Sequence, residues 1–205
     1  HANKANIKKK ETFNLLKLQN ISFAYGKKNI DNIFSNLNLQ INRGDKICLI
    51  GETGSGKSTF INMILGILEP TKGKISLNNK LKRKLYEKVE VSYVPQKIFL
   101  LDSTIKSNIL LGSNYNEKHL KKVLEITNLS NFILKLNKSV NTIVGEDAKK
   151  ISIGQKQRIG IARAIYKQFD LLILDEATSS LDEKTEKAIL KKLITKFKDK
   201  TILCI

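Results

Sequence analysis

Apolar and polar residues tend to alternate over residues 15–25 and again over 37–41, the period-two pattern of half-buried antiparallel strands. Ordered structure is expected from about Phe13. A turn at Arg43-Gly44-Asp45 follows, and residues 46–50 read as a short apolar strand running into Gly51-Glu52-Thr53-Gly54-Ser55-Gly56. Residues 57–68 then have helical length and pattern. A break over 70–73 precedes two further candidate strands, 74–77 and 91–94, the second ended by Pro95. Between 103 and 138 apolar positions recur three and four residues apart, interrupted at Gly112-Ser113-Asn114, which predicts several short helices. A turn-rich stretch, 145–150, leads to a helix over about 152–167. Residues 171–174 form a wholly apolar strand, 182–198 a helix, and 201–205 the start of another buried strand. No internal repeat or low-complexity insert interrupts this order.

At 205 residues, 41% of them hydrophobic, the chain suits one well-buried domain. With 11 Gly and 2 Pro among them it is neither collagen-like nor of Pro/Gly-rich disordered composition. No apolar run approaches the roughly 18–20 residues of a membrane-spanning helix, and no secretory signal precedes the domain, so the piece reads as soluble. Cys48 and Cys204 lie inside strand-like stretches without metal-ligand spacing, which fits a reducing compartment. Residues 1–11 are polar and basic, with Lys8-Lys9-Lys10 near their end, and read as a linker or an expression remnant. The net charge of +18 raises nucleic acid or an anionic membrane surface as partners. Because the excess is nearly all lysine spread along the chain, a solvated basic surface is the favoured reading.

Residues 51–58, Gly-Glu-Thr-Gly-Ser-Gly-Lys-Ser, satisfy the phosphate-binding loop pattern in its proper setting, between a strand and a helix. Glycines let successive N–H groups turn towards a phosphate, the helix N-terminus adds positive potential, and Lys57 adds a full charge. The Ser58 hydroxyl can ligate Mg²⁺. At 171–176, Leu-Leu-Ile-Leu-Asp-Glu sets two carboxylates at the C-terminal end of an apolar strand, where open α/β sheets present ligands. In phosphate-loop ATPases an acid at the position of Asp175 completes metal coordination, and Glu176 can polarise an attacking water.

Ile151-Ser152-Ile153-Gly154-Gln155, followed by a Gln-Arg helix, resembles the signature motif of ATP-binding cassette (ABC) ATPases. Tyr25 matches the family's adenine-stacking aromatic, Gln96 in Tyr-Val-Pro-Gln its Q-loop, and Ser180-Leu181-Asp182 its D-loop. The resemblance covers residues 15–205. It implies an α/β fold: a P-loop (RecA-like) core over residues 12–205, with an antiparallel β subdomain and an α-helical subdomain over about 99–163. It implies ATP and Mg²⁺ as ligands, bound through Tyr25, Gly51, Gly54, Ser55, Gly56, Lys57, Ser58 and Thr59. Asp175, Ser58 and Gln96 would serve the metal, and Glu176, Gln96 and Lys57 the chemistry. Ser152, Gly154, Gln155 and Asp182 would act on the nucleotide of a second cassette, joined head to tail as a homo- or heterodimer.

Thr142-Ile143-Val144-Gly145-Glu146 is similar to the X-loop of exporter-type cassettes, although Ala148 stands where a glycine is usual. The resemblance therefore implies ATP hydrolysis coupled to export, through transmembrane domains on the same full-length chain at the cytoplasmic face of the cell membrane. No specific nucleic-acid partner is expected; a soluble ABC ATPase acting on ribosomes or nucleic acid is the alternative. Two departures stand out. Ile153 replaces the first signature glycine, and a β-branched residue there restricts a tight turn and adds bulk; an altered signature beside an intact Glu176 is similar to one member of an asymmetric heterodimer. The family's switch histidine would follow Ile205, so the piece as written is expected to bind ATP and turn it over poorly. His119 is read as an ordinary surface helix residue.

Overall fold

The alternating stretches near the N-terminus build an antiparallel sheet. In the computed structural model, which describes residues 10–26, 32–81, 85–144 and 151–205, β1 (Leu15–Phe23) pairs along one edge with β2 (Phe34–Asn42). Strand β3 (Lys46–Cys48) belongs to a second sheet. The other edge of β1 takes β4 (Lys72–Leu77), which continues to β5 (Lys80–Leu81), giving the order β2-β1-β4-β5. This sheet and helix α1 (Lys57–Leu65) lie in one unit, residues 1–43 with 53–90; the second unit comprises 44–52 with 91–205.

Two features of the first unit depart from the sequence pattern. Along β1 the buried positions change parity, from Leu16 and Leu18 to Ile21 and Phe23. The cause is a bulge at Gln19-Asn20, where Asn20 takes φ 51 and the register shifts against both neighbours; one extra residue turns every later side chain to the other face. Opposite it, Gly73 at φ +90 leaves room that a Cβ would fill, 2.4 Å from the carbonyl oxygens of both Gln19 and Asn20. Glycine thus carries β4 past the bulge, and the strand starts at Lys72 instead of after the expected break. Helix α1 stops at Leu65 because Gly66, at φ 78, turns its N–H back to the carbonyls of Asn62 and Met63. The apolar pattern alone ran on to residue 68.

The second unit carries a parallel sheet in the order β3-β8-β7-β6, with β6 (Val91–Val94), β7 (Leu171–Leu174) and β8 (Thr201–Cys204). All four residues of β7 are buried, as a central parallel strand requires. Helices α2 (Ile105–Leu110), α3 (Glu117–Ile126), α4 (Ser130–Leu134), α5 (Ile153–Tyr166) and α6 (Glu183–Lys196) complete it. Ile105, Ile109, Val123, Ile159, Ile165 and Leu172 share one core, so the short helices and the sheet bury a common apolar interior. Helix starts are set by side-chain caps: Thr104, Asn116, Ser152 and Asp182 each accept the backbone N–H of the third residue on.

His119 does more than decorate the surface of α3. Its Nε2 meets the carbonyl of Tyr166 at 2.9 Å and its ring packs 4.7 Å from the Tyr166 ring, tying α3 to the end of α5. Cys48 and Cys204 are register partners on β3 and β8, both free thiols. Among the described residues no helix is long and apolar enough to cross a membrane.

Candidate functional site

In the first unit the glycine-rich loop ends at Gly56, which caps α1 with φ +93 and offers no side chain to its N–H groups. A Cβ there would lie 2.5 Å from Ile33 Cγ2 and 3.0 Å from Phe34 Cζ, so both conformation and space demand glycine. No acidic residue occupies the first turn, leaving the positive end of the helix uncompensated by its own side chains. Lys57 is the first helical residue, Ser58 the second and exposed, and Thr59 the third and buried. The Tyr25 hydroxyl lies 3.1 Å from Thr59 Oγ1, and its ring meets Phe23 edge-on at 5.0 Å. Tyr25 itself is 60% exposed, an aromatic face presented beside the loop.

In the second unit the two acids leave β7 at its C-terminal end. The Asp175 N–H donates to the Val94 carbonyl at 2.9 Å, extending the β6–β7 ladder by one bond. The Asp175 carboxylate accepts the Tyr93 hydroxyl at 2.8 Å. Burial, reinforced by that bond and by the carboxylate's charge, holds the Tyr93 phenol well above its ordinary range, so it remains a donor. Glu176 follows with φ 48, a left-handed backbone unusual for glutamate. Its carboxylate accepts the Gln96 side-chain amide. Gln96 and Glu176 are thereby brought together.

Ser152 and Gln155 form a reciprocal capping box: Gln155 N–H donates to Ser152 Oγ at 3.2 Å, and Ser152 N–H donates to Gln155 Oε1 at 2.9 Å. The signature segment is therefore a helix start. Ile153 occupies the first helical position with its side chain 67% exposed and without a left-handed φ. The backbone restriction expected of isoleucine does not arise, since helical φ suits it; only the added bulk remains. At Gly154 a Cβ would come within 3.2 Å of Leu181 Cδ2 and of the Ser180 carbonyl. Buried Gln157 holds the same loop, accepting from Ser180 N–H at 3.1 Å and donating to Ser179 Oγ at 3.3 Å. Asp182 caps α6 through Thr185 N–H, and those bonds to Thr185 hold its carboxyl below the usual range.

Among the residues singled out from sequence, the structure joins Tyr25 to Thr59, Gln96 to Glu176 and Ser152 to Gln155, and sets Gly154 against Ser180 and Leu181. Gly51, Gly54 and Ser55 lie exposed in the loop before α1. Glu146 and Ala148 of the X-loop fall outside the described residues; Ile143, within them, bridges to Thr104. Sequence reasoning missed Tyr93, Gln157, and the Asn108–Arg163 pair that orders the chain after Gln96. For Gln155 a signal existed, since Ser-x-x-Gln before an apolar run is a capping-box pattern. Tyr93, Gln157 and Arg163 act through partners distant in the chain, so nothing local marks them, and Asn108 bonds both nearby Leu101 and Thr104 and distant Arg163. Ser58 in the first unit, and Gln96 and Asp175 in the second, each carry an oxygen of the hard kind that Mg²⁺ prefers while it keeps part of its water shell, so the chemistry of each fits that ion.

A phosphate-binding loop, an acid pair at the end of a buried parallel strand, and a capped signature helix define the class of a nucleotide-binding α/β domain. Residues 34–179 match the family model described as ABC transporter, and the chain belongs to that family. It is 36% identical over 197 residues to the ATP-dependent lipid A-core flippase of Wigglesworthia glossinidia brevipalpis, covering 93% of this chain and 33% of that protein. Against the ATP-dependent permease MDL1 of Candida albicans it is 34% identical over 195 residues, 93% of this chain and 28% of the permease. A solved bacterial Atm1-family ABC exporter with ATP bound superposes with a TM-score of 0.84 at 27% identity, over 94% of this chain and 34% of the exporter. The chain thus spans about a third of the length of these relatives.

Proposed function

We propose that this chain is the ATP-hydrolysing cassette of an ABC exporter, working as a head-to-tail pair at the cytoplasmic face of the membrane. The observation that carries the reading is the bonded pair of Gln96 and Glu176 at the end of β7, in a chain that also supplies the glycine-capped α1. Tyr25 stacks on adenine. The N–H groups of residues 54–59 and the Lys57 ammonium bind the phosphates, an electrostatic clamp whose strength rises as charge develops on the transferred group. Mg²⁺, held by Ser58, Gln96 and, through water, Asp175, would supply charge neutralisation at the outer phosphates. Glu176 accepts the proton of the attacking water, and Gln96 fixes the carboxylate's direction. Ser152, Gly154 and Gln155 close on the partner cassette's nucleotide, with Asp182 alongside. Each half-site is nearly inert alone because phosphoryl transfer rests on positioning.

The permease and the flippase above are each about three times as long as this chain, which supports a transmembrane domain on the same polypeptide. Exposed Ile153 adds an apolar side chain to the face that meets the partner, which favours a partner cassette shaped to receive it, the heterodimeric arrangement. The test is ATPase activity of the full-length transporter in vesicles. Wild type is expected to turn over MgATP, Lys57→Ala to lose nucleotide binding, and Glu176→Gln to bind normally while losing at least a hundredfold in rate. Turnover by Glu176→Gln at the wild-type rate would overturn the assignment.

A further inference from the structure

Strands β6 and β7 run parallel with Tyr93 opposite Ile173. Successive side chains alternate faces, so Tyr93 lies on one face of β6 while Ser92, whose hydroxyl bonds the Ala164 carbonyl of α5 at 2.9 Å, lies on the other. Asp175 is two residues beyond Ile173, on the same side as Tyr93 and diagonal to it. Two residues of rise along a strand, roughly 6.6 Å, combined with roughly 4.8 Å between strands set such backbones about 8 Å apart, within reach of an aromatic side chain and beyond that of serine, threonine or asparagine. A tyrosine at this position is therefore the residue type that can place a hydroxyl on the carboxylate, and it does so at 2.8 Å.

The backbone at Asp175 is already fixed by its N–H bond to Val94, leaving the carboxylate two side-chain torsions as its freedom. Building on the reading of Asp175 as the metal-serving acid, we propose that Tyr93 is a positioning residue for it, its hydroxyl holding one carboxylate oxygen so that the other is presented to the cation's water shell. An ionised carboxylate has about four lone-pair sites, so accepting one phenol leaves capacity for the hydrated ion. Gln96 stands in the same relation to Glu176. Each acid is thus held by one side chain from β6 or its exit: Tyr93 for the metal-serving carboxylate, Gln96 for the water-serving one. The pairing accounts for an aromatic residue left 41% exposed on a strand whose other face is packed.

The experiment compares wild type, Tyr93→Phe and Asp175→Asn in the full-length transporter. Mn²⁺ binding in the presence of ATP is followed from the loss of the free-ion paramagnetic resonance signal, and ATP binding is measured separately in EDTA. Phenylalanine keeps the ring and removes the donor. A hydrogen bond to a charged group at a partly exposed site corresponds to about a fivefold effect, so Tyr93→Phe is expected to weaken Mn²⁺ about fivefold. Its metal-free ATP affinity is expected to stay within twofold, and Asp175→Asn is expected to weaken Mn²⁺ further. Unchanged Mn²⁺ affinity in Tyr93→Phe, with the ion lost in Asp175→Asn, would overturn the role of Tyr93 and leave Asp175's intact. A parallel fall in metal-free ATP affinity would make Tyr93 a packing residue. If Asp175→Asn binds Mn²⁺ normally, the reading of the acid itself fails.

Discussion

Asn108 is the residue whose loss should be felt most for its size. It is fully buried on α2, and its amide closes a ring around the chain that follows Gln96. Oδ1 accepts from Leu101 N–H at 2.8 Å and from Arg163 Nη2 at 3.2 Å, while Nδ2 donates to the carbonyls of Leu101 at 2.9 Å and Thr104 at 3.1 Å. Asn108→Ala removes four bonds. The two carbonyls keep other donors, Ser103 N–H and Asn108 N–H, and Arg163 keeps the Phe99 carbonyl, so the Leu101 N–H bears the clearest deficit. At about 1 kcal/mol for each neutral bond and somewhat more for the one to the guanidinium, reduced because water reaches Leu101, the expected cost is about 3 kcal/mol. Asn108→Asp keeps the acceptors beside Arg163 but sets a carboxylate oxygen against the Leu101 and Thr104 carbonyls where the amide donated, so it should cost no less than alanine, about 3 kcal/mol. Urea unfolding followed by far-ultraviolet circular dichroism gives both values, and amide exchange over 97–104 reports the local loosening. A cost below about 1 kcal/mol for alanine, or an aspartate variant as stable as wild type, would refute the ring as the stabilising device.

The two signature positions should behave oppositely. Ile153→Gly is expected to change stability by no more than about 1 kcal/mol, since the side chain is exposed, whereas Gly154→Ala should speed amide exchange at 179–182 by pressing on Ser180 and Leu181. Unchanged exchange in Gly154→Ala would show that the loop gives way without consequence. Burial, aided by nearby Cys48 and Glu186, pushes the Cys204 thiol up to about 11. The folded chain therefore holds this proton more tightly than the unfolded one, and the associated stability is present below the free-thiol range and lost as pH rises towards 11. The stability difference between wild type and Cys204→Ala should shrink between pH 9 and 11 by up to about 1.4 kcal/mol per unit; a constant difference would contradict the burial of the thiol.

Much of this arrangement is legible in sequence because it is local. The strand-loop-helix at 46–65 is announced by glycines and a lysine whose spacing is itself the mechanism, and the acids after Leu174 are bounded by an apolar run that can only be a buried strand. What was not legible depends on pairing across the chain. The bulge at Gln19-Asn20 becomes visible only against β4, where Gly73 answers it. Gly66 could have been read as a left-handed cap, but an apolar run continuing beyond it outweighed the single glycine. Tyr93 and Gln157 act through partners 82 and 23 residues away, and no local pattern couples such positions. Ile153 shows the reverse error, since a motif learned with glycine made isoleucine look strained until its helical position was known.

The central claim is that these motifs act on nucleotide between two cassettes. It is tested most directly by light scattering on the Glu176→Gln chain, extended through the switch histidine that the family resemblance implies, with and without MgATP. The account predicts a mass that doubles with MgATP, alone or on adding the partner cassette, and that stays monomeric with MgATP when Ser152 and Gly154 are also replaced. A monomer under all these conditions, with MgATP demonstrably bound, would contradict it.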